Sequence, residues 1–81
     1  MKKAIIIGFG GMGIRHYKAL KKLNIDVIGV CDQNLEKLNS FKFLKKIKKV
    51  KDYKKLINIK ADVVCVASNT KSRYQIIRNF I

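Results

Sequence analysis

Apolar residues fall along the chain in short dense runs divided by polar breaks, and the runs alternate between two periods. Lys2–Ile7 is continuously apolar after Lys3, rich in β-branched side chains, and stopped by Gly8. That pattern predicts a strand covered on both faces, as in a parallel sheet. From Gly11 to Leu23 the spacing changes. Ile14, Tyr17, Leu20 and Leu23 recur every third residue, which predicts a helix with one apolar face, ended by Asn24. Asp26–Cys31 is a second apolar strand and closes at Asp32. Asn34 is placed to cap a helix from about Leu35, with Glu36 favoured in its first turn by the helix dipole.

The stretch from Lys42 to Lys60 carries nine lysines and less pattern. Ile47–Val50 reads as a short third strand at the sheet edge, where lysines discourage pairing with other chains. Asp52 caps a short helix, Tyr53 to Asn58. Val63–Ala67 is the clearest strand after the first, and a last helix from Thr70 carries Tyr74, Ile77 and Ile81 on one face. Strict alternation of strands and helices implies an α/β fold: a parallel sheet with right-handed crossovers and helices on both faces. Four strands in the order 3-2-1-4 are expected, one half of a doubly wound, Rossmann-like nucleotide-binding fold plus the first strand of the other half.

Length and charge narrow this picture. Eighty-one residues make one small domain, and the longest apolar runs are far short of the ~20 residues that a membrane span needs. The basic-then-apolar start breaks off at Gly8, too early for a signal peptide, so a soluble cytoplasmic protein is expected. A net charge of +14 raises nucleic-acid binding, but 16 of the 19 basic residues are lysine, and base readout and phosphate clamps favour arginine. The lysine run from Lys42 to Lys55 is read as a solvated face. Cys31 and Cys65 fall in strands that flank a third, about 10 Å apart at ~4.8 Å per strand, too far for a disulfide.

Chemistry concentrates in Gly8-Phe9-Gly10-Gly11-Met12-Gly13, a G-x-G-x-x-G run. Alone the pattern is weak. Here it follows a strand, opens a helix, and is joined by Asp32, 19 residues past its last glycine at the end of the next strand. Gly8 allows the tight turn, Gly10 lets a pyrophosphate approach the backbone, and Gly13 lets the helix pack on the strand. The N–H groups of Gly10, Gly11 and Met12 then point at phosphates, favoured by the helix dipole. Asp32 can accept hydrogen bonds from the adenosine ribose hydroxyls and would repel a 2′-phosphate, so NAD is expected over NADP. The bland alternative is a glycine turn that binds nothing. Ser68-Asn69-Thr70 closes the fourth strand, where its polar groups either touch the cofactor riboses or merely cap the last helix. Arg73 either reaches a phosphate or is solvated, and His16 reads as a packing residue rather than a catalyst.

From Gly8 to Leu20 the chain reads G-x-G-x-x-G-x-x-H-x-x-x-L, which resembles the opening of the Gfo/Idh/MocA oxidoreductases. Asp32, Asp52-Tyr53 and Asp62-Val63-Val64-Cys65-Val66-Ala67-Ser68 are similar to later landmarks of that family. The resemblance implies an NAD(P)-dependent dehydrogenase of sugars, inositols and related compounds, with cofactor contacts at Phe9–Met12, Asp32, Ser68 and Asn69. Two departures stand out. Asn69 and Arg73 replace a frequent proline and histidine, and the family's Glu-Lys-Pro catalytic motif has no counterpart in a chain without proline.

The expectation is therefore the N-terminal NAD-binding portion, residues 1–81, of a sugar- or polyol-type oxidoreductase. The substrate domain and every catalytic residue would lie outside this chain, which would bind cofactor but transfer no hydride. Two further readings stand beside it: a non-enzymatic NAD-sensing module, and a basic nucleic-acid-binding protein. The fourth strand has an apolar outer edge, so self-association through that edge is also expected. No metal site is expected.

Overall fold

The computed structural model describes residues 1–68 and 70–80, without the side chains of residues 70 and 71. Strand β1 (Lys3–Ile7) lies inside the sheet, and Ala4 to Ile7 are almost wholly buried, as its unbroken apolar run requires. On one side it pairs in parallel with β2 (Asp26–Cys31), and on the other with β4 (Val63–Val66). The short strand β3 (Lys48–Val50) adds to the outside of β2, so the order is β3-β2-β1-β4 and every pairing is parallel. That is the predicted sheet. Cys31 and Cys65, on the two strands flanking β1, are free thiols.

Helices α1 (Gly11–Lys22) and α2 (Leu35–Ser40) cover one face, and α3 (Thr70–Arg78) lies on the other. Strand alternation divides the core accordingly. Ala4, Ile6, Val27 and Val30 pack under Tyr17, Leu20, Leu38 and Leu44, while Ile5, Ile7, Cys31 and Val50 pack under Leu56 and Ile76. Burial of a side chain the size of leucine or isoleucine contributes roughly 1.5–3 kcal/mol, so the two small clusters are what offset the ordering of so short a chain.

Helix α1 stops because Asn24 adopts the left-handed conformation (φ 58°). The Asn24 N–H donates to the Lys21 carbonyl and the Ile25 N–H to that of Leu20, a Schellman cap sealed by Leu20 and Ile25 in one cluster. The reversal leaves Leu23 outside the apolar face predicted for it; it is 69% exposed. Asn34 caps α2 as expected, its Oδ1 accepting from Lys37 N–H at 3.0 Å. Two further expectations are corrected. Tyr53–Leu56 is a 3-10 turn rather than a helix to Asn58, and a second such turn occupies Lys42–Leu44. On α3 the buried residue is Ile76, whereas Tyr74 and Ile77 are exposed; Ile81 lies outside the described residues. Among the described residues no helix is long and apolar enough to cross a membrane.

Candidate functional site

The carboxyl ends of all four strands open onto one cleft of about 1080 Å³. Its floor is the turn from β1 into α1, and the glycines there divide into two kinds. Gly8 has φ +92°, and a Cβ on it would stand 2.9 Å from the Ala67 carbonyl oxygen of the neighbouring chain segment. A Cβ on Gly13 would overlap the Gly8 carbonyl oxygen. Both are required by the protein's own packing. Around Gly10 and Gly11 the situation is reversed: a Cβ would meet nothing within 4 Å. The fold needs no glycine at those positions, and the space above them is left open to a ligand.

Gly10 is the N-cap of α1, and no side chain caps the helix. Its first N–H groups therefore lack the usual internal acceptor and face the open space with the positive end of the helix dipole. The residues present thus fit a pyrophosphate on Gly10, Gly11 and Met12. Phe9 contributes differently from its neighbours. Its side chain is fully buried, edge-on to Tyr17 and Phe41 at centroid distances of 6.2 and 5.5 Å. Its N–H is already committed: it donates to Asp32 Oδ2 at 2.9 Å.

Asp32, one residue past β2, is the polar centre of the cleft. Its Oδ1 accepts from Asn34 N–H at 2.8 Å, and Lys37 Nζ donates to Oδ2 at 3.2 Å. Burial pushes the Asp32 carboxyl pKa up, but the N–H groups of Asn34 and Phe9 and the Lys37 ammonium outweigh it. The net result is a carboxyl held below its ordinary value and ionised at neutral pH. Next to it, Cys31 is pushed up to about 11 by burial, then by the charges of Asp32 and Asp52, so its thiol stays protonated.

Ser68 lines the far end of the cleft beyond β4, and its carbonyl accepts from Arg73 Nη2 at 3.0 Å. Arg73 is thus half-buried rather than simply solvated, and it ties down the loop that carries Ser68. Asn69 lies outside the described residues. His16 is half-buried on α1 and does not line the cleft. The lysine run is not simply solvated either. Lys49 Nζ donates to the carbonyls of Leu44 and Ile47, and Lys49, Lys51 and Lys55 join Lys37 around the cleft. Four lysines against Asp32 and Asp52 give the lining of the cleft a net positive charge, which favours an anion. No cluster of metal-ligating side chains occurs among the described residues.

This geometry, a parallel sheet with open space over a helix N-terminus and a carboxylate beside it, goes with a family match in the sequence. The model for the Gfo/Idh/MocA oxidoreductase family, NAD-binding Rossmann fold, matches residues 2–81. The chain belongs to this family. Comparison with curated proteins finds none that matches. Among solved structures, a probable dehydrogenase from Thermotoga maritima superposes with a TM-score of 0.83 at 25% identity, over 96% of this chain and 24% of that one. The scyllo-inositol dehydrogenase from Lactobacillus casei, solved with NAD(H) and scyllo-inositol, gives 0.82 at 18% identity over 99% of this chain and 25% of that one. The WlbA dehydrogenase from Bordetella pertussis, in complex with NADH and UDP-GlcNAcA, gives 0.70 at 17%, over 82% of this chain and 21% of that one. The chain thus spans about a quarter of the length of these structures or slightly less.

Lys37 was not singled out by sequence reasoning. The signal was present: with Asn34 capping α2, position 37 falls in the first helical turn, which faces back toward Asp32. The aromatic group around Phe9 left no such trace, because Phe41 and Phe43 come from an irregular segment without periodicity.

Proposed function

We propose that this chain is the NAD-binding portion of an oxidoreductase that moves hydride between a nicotinamide cofactor and a sugar, polyol or related substrate. By itself it binds the cofactor and carries out no transfer. The open space over Gly10 and Gly11, beside the ionised Asp32, is the observation that carries this reading. The pyrophosphate rests on the N–H groups of Gly10, Gly11 and Met12. The adenosine ribose hydroxyls donate to Asp32, and the nicotinamide half extends toward Ser68 and Asn69. When bound, the nicotinamide ring supplies or accepts the hydride. Asp32, as a fixed negative charge, favours NAD over NADP. The inositol and nucleotide-sugar ligands of the structural neighbours support a polyhydroxylated substrate.

Calorimetric titration of the chain with NAD, in wild type and Asp32→Ala, tests this reading. Wild type is expected to bind, and the variant to bind at least tenfold more weakly, the loss of about 1.4 kcal/mol being typical of one charge-assisted hydrogen bond. No heat with millimolar NAD would sink the proposal. We also propose that the chain self-associates through the outer edge of β4. Among the described residues β4 pairs only with β1, and Val63 to Val66 are all partly exposed. Sedimentation at high concentration should show dimers or larger species; a monodisperse monomer would refute it.

A further inference from the structure

The hydrogen bonds around Asp32 do not match a site built for NAD alone. A carboxylate offers about four lone-pair sites on its two oxygens. Three are taken: Asn34 N–H on Oδ1, and Phe9 N–H and Lys37 Nζ on Oδ2. The two N–H donors belong to the backbone and stay in place. A ribose diol that donates to both oxygens therefore needs the position on Oδ2 that Lys37 holds. Lys37 can yield it, because its ammonium sits on a flexible four-carbon stem and the side chain is 35% exposed.

Once displaced, the ammonium remains at the rim of the cleft, which Lys37 lines together with Asp32 and Gln33. That rim is where the ribose 2′ position would lie. A 2′-phosphate there meets a cation rather than an unopposed carboxylate. Asp32 would keep its two backbone donors, and its charge would stay partly compensated. We propose that Lys37 is a specificity-determining residue of this site, and that it admits NADP as well as NAD by serving as the counter-ion of the 2′-phosphate. The proposal rests on the cofactor reading above. It replaces a strict preference for NAD with a modest one.

The test is calorimetric titration of the chain with NAD and NADP at one fixed ionic strength. Measured are wild type, Lys37→Met, Lys37→Arg and, as a charge-matched control, Lys60→Met, an exposed lysine that does not line the cleft. Methionine keeps an unbranched stem and a good helix propensity, and circular dichroism reports whether the variant folds. In wild type the NADP Kd should lie within about tenfold of the NAD Kd, and Lys37→Met should raise the NADP-to-NAD ratio by roughly tenfold, the worth of one charge-assisted contact. Lys37→Arg should hold the ratio near wild type and Lys60→Met should leave it there. A wild-type ratio well beyond tenfold, a Lys37→Met ratio within about threefold of wild type, or an equal change in Lys60→Met would each overturn the role of Lys37. If wild type binds neither nucleotide, the cofactor reading itself fails and this proposal with it. If NAD binds but the ratio does not respond to position 37, only this proposal fails.

Discussion

The two kinds of glycine in the β1–α1 turn give a sharp prediction, because they should separate stability from binding. Gly10→Ser adds a side chain where a Cβ meets nothing within 4 Å, at a residue whose φ of −85° suits any L-amino acid. Serine is also a preferred N-cap, so stability should stay within about 0.5 kcal/mol of wild type. The new hydroxymethyl group would nevertheless fill the space needed by the pyrophosphate, and NAD affinity should fall at least tenfold, about 1.4 kcal/mol. Gly8→Ala is the opposite case. Left-handed backbone costs about 1–2 kcal/mol for alanine, and forcing a Cβ against backbone adds about 1–3. That backbone is the Ala67 carbonyl at 2.9 Å, which no rotamer change can move. Gly13→Ala gains roughly 1 kcal/mol of helix propensity, yet its overlap with Gly8 pushes α1 off the strand, for a net loss of about 1–2 kcal/mol. A domain of this length has a total stability of only roughly 4–12 kcal/mol, so both losses are large. Urea unfolding followed by circular dichroism, with NAD titration of each folded variant, reads the two effects separately. If Gly10→Ser unfolds as readily as Gly8→Ala, the open space over Gly10 is illusory. If it binds NAD like wild type, the pyrophosphate does not lie there.

Other consequences are simpler to check. Asn24 supplies the left-handed residue of the α1 cap, so Asn24→Val should lose about 1–2 kcal/mol in the same urea assay, and Asn24→Gly should lose nothing. Asp32 has a folded-state pKa below its unfolded value, so its contribution is present at neutral pH. It is lost as pH falls below the ordinary value of about 3.9 and through the folded one, and Asp32→Asn should flatten that acid limb in pH-dependent melts. Cys31 is 5% exposed with its thiol pushed up to about 11, so iodoacetamide at pH 8 should label it only after unfolding in urea. Rapid labelling of Cys31 in the native protein, read by peptide mapping to separate it from the half-buried Cys65, would contradict the packing of β2.

Much of this architecture was legible in the chain because it rests on local pattern. The runs at β1 and β2 are unbroken and end in Gly8 and Asp32, so period and terminators agree there. The order of the sheet followed from alternation and handedness together with the nucleotide-binding fold that the glycine run indicated. The failures have physical causes. Tyr74 and Ile77 share helical spacing with the end of the chain, but α3 turns Ile76 toward Ile5 and Ile7, and no periodicity over so short a helix fixes which face wins. The lysine run was misread for a related reason. Charge predicts solvation on average, whereas Lys49 reaches the carbonyls of Leu44 and Ile47 in the irregular segment after α2. At the site, backbone geometry was readable from glycine spacing. The long-range partner of Asp32 was not, since Phe9 N–H comes from 23 residues away, whereas Asn34 and Lys37 lie at the start of the next helix.

Those partners change how Asp32 must be understood. In the simplest picture it is a ribose ligand at the edge of the site, and the glycine loop works independently. In this structure one carboxylate holds the N–H of Phe9, inside the glycine loop, and that of Asn34, at the head of α2. If the cofactor binds as proposed, its ribose and pyrophosphate sites are linked through a single side chain. A ligand that occupies one is met by a second that is already ordered, which lowers the entropy lost on binding. Removing the carboxylate should accordingly weaken both ends of the cofactor, and Asp32→Ala should lose affinity for the pyrophosphate half as well as for the ribose. Lys37, by contrast, donates from a flexible side chain to Oδ2, alongside the Phe9 N–H. On the proposed reading, position 37 can alter which cofactor is preferred while both backbone donors to Asp32 stay in place.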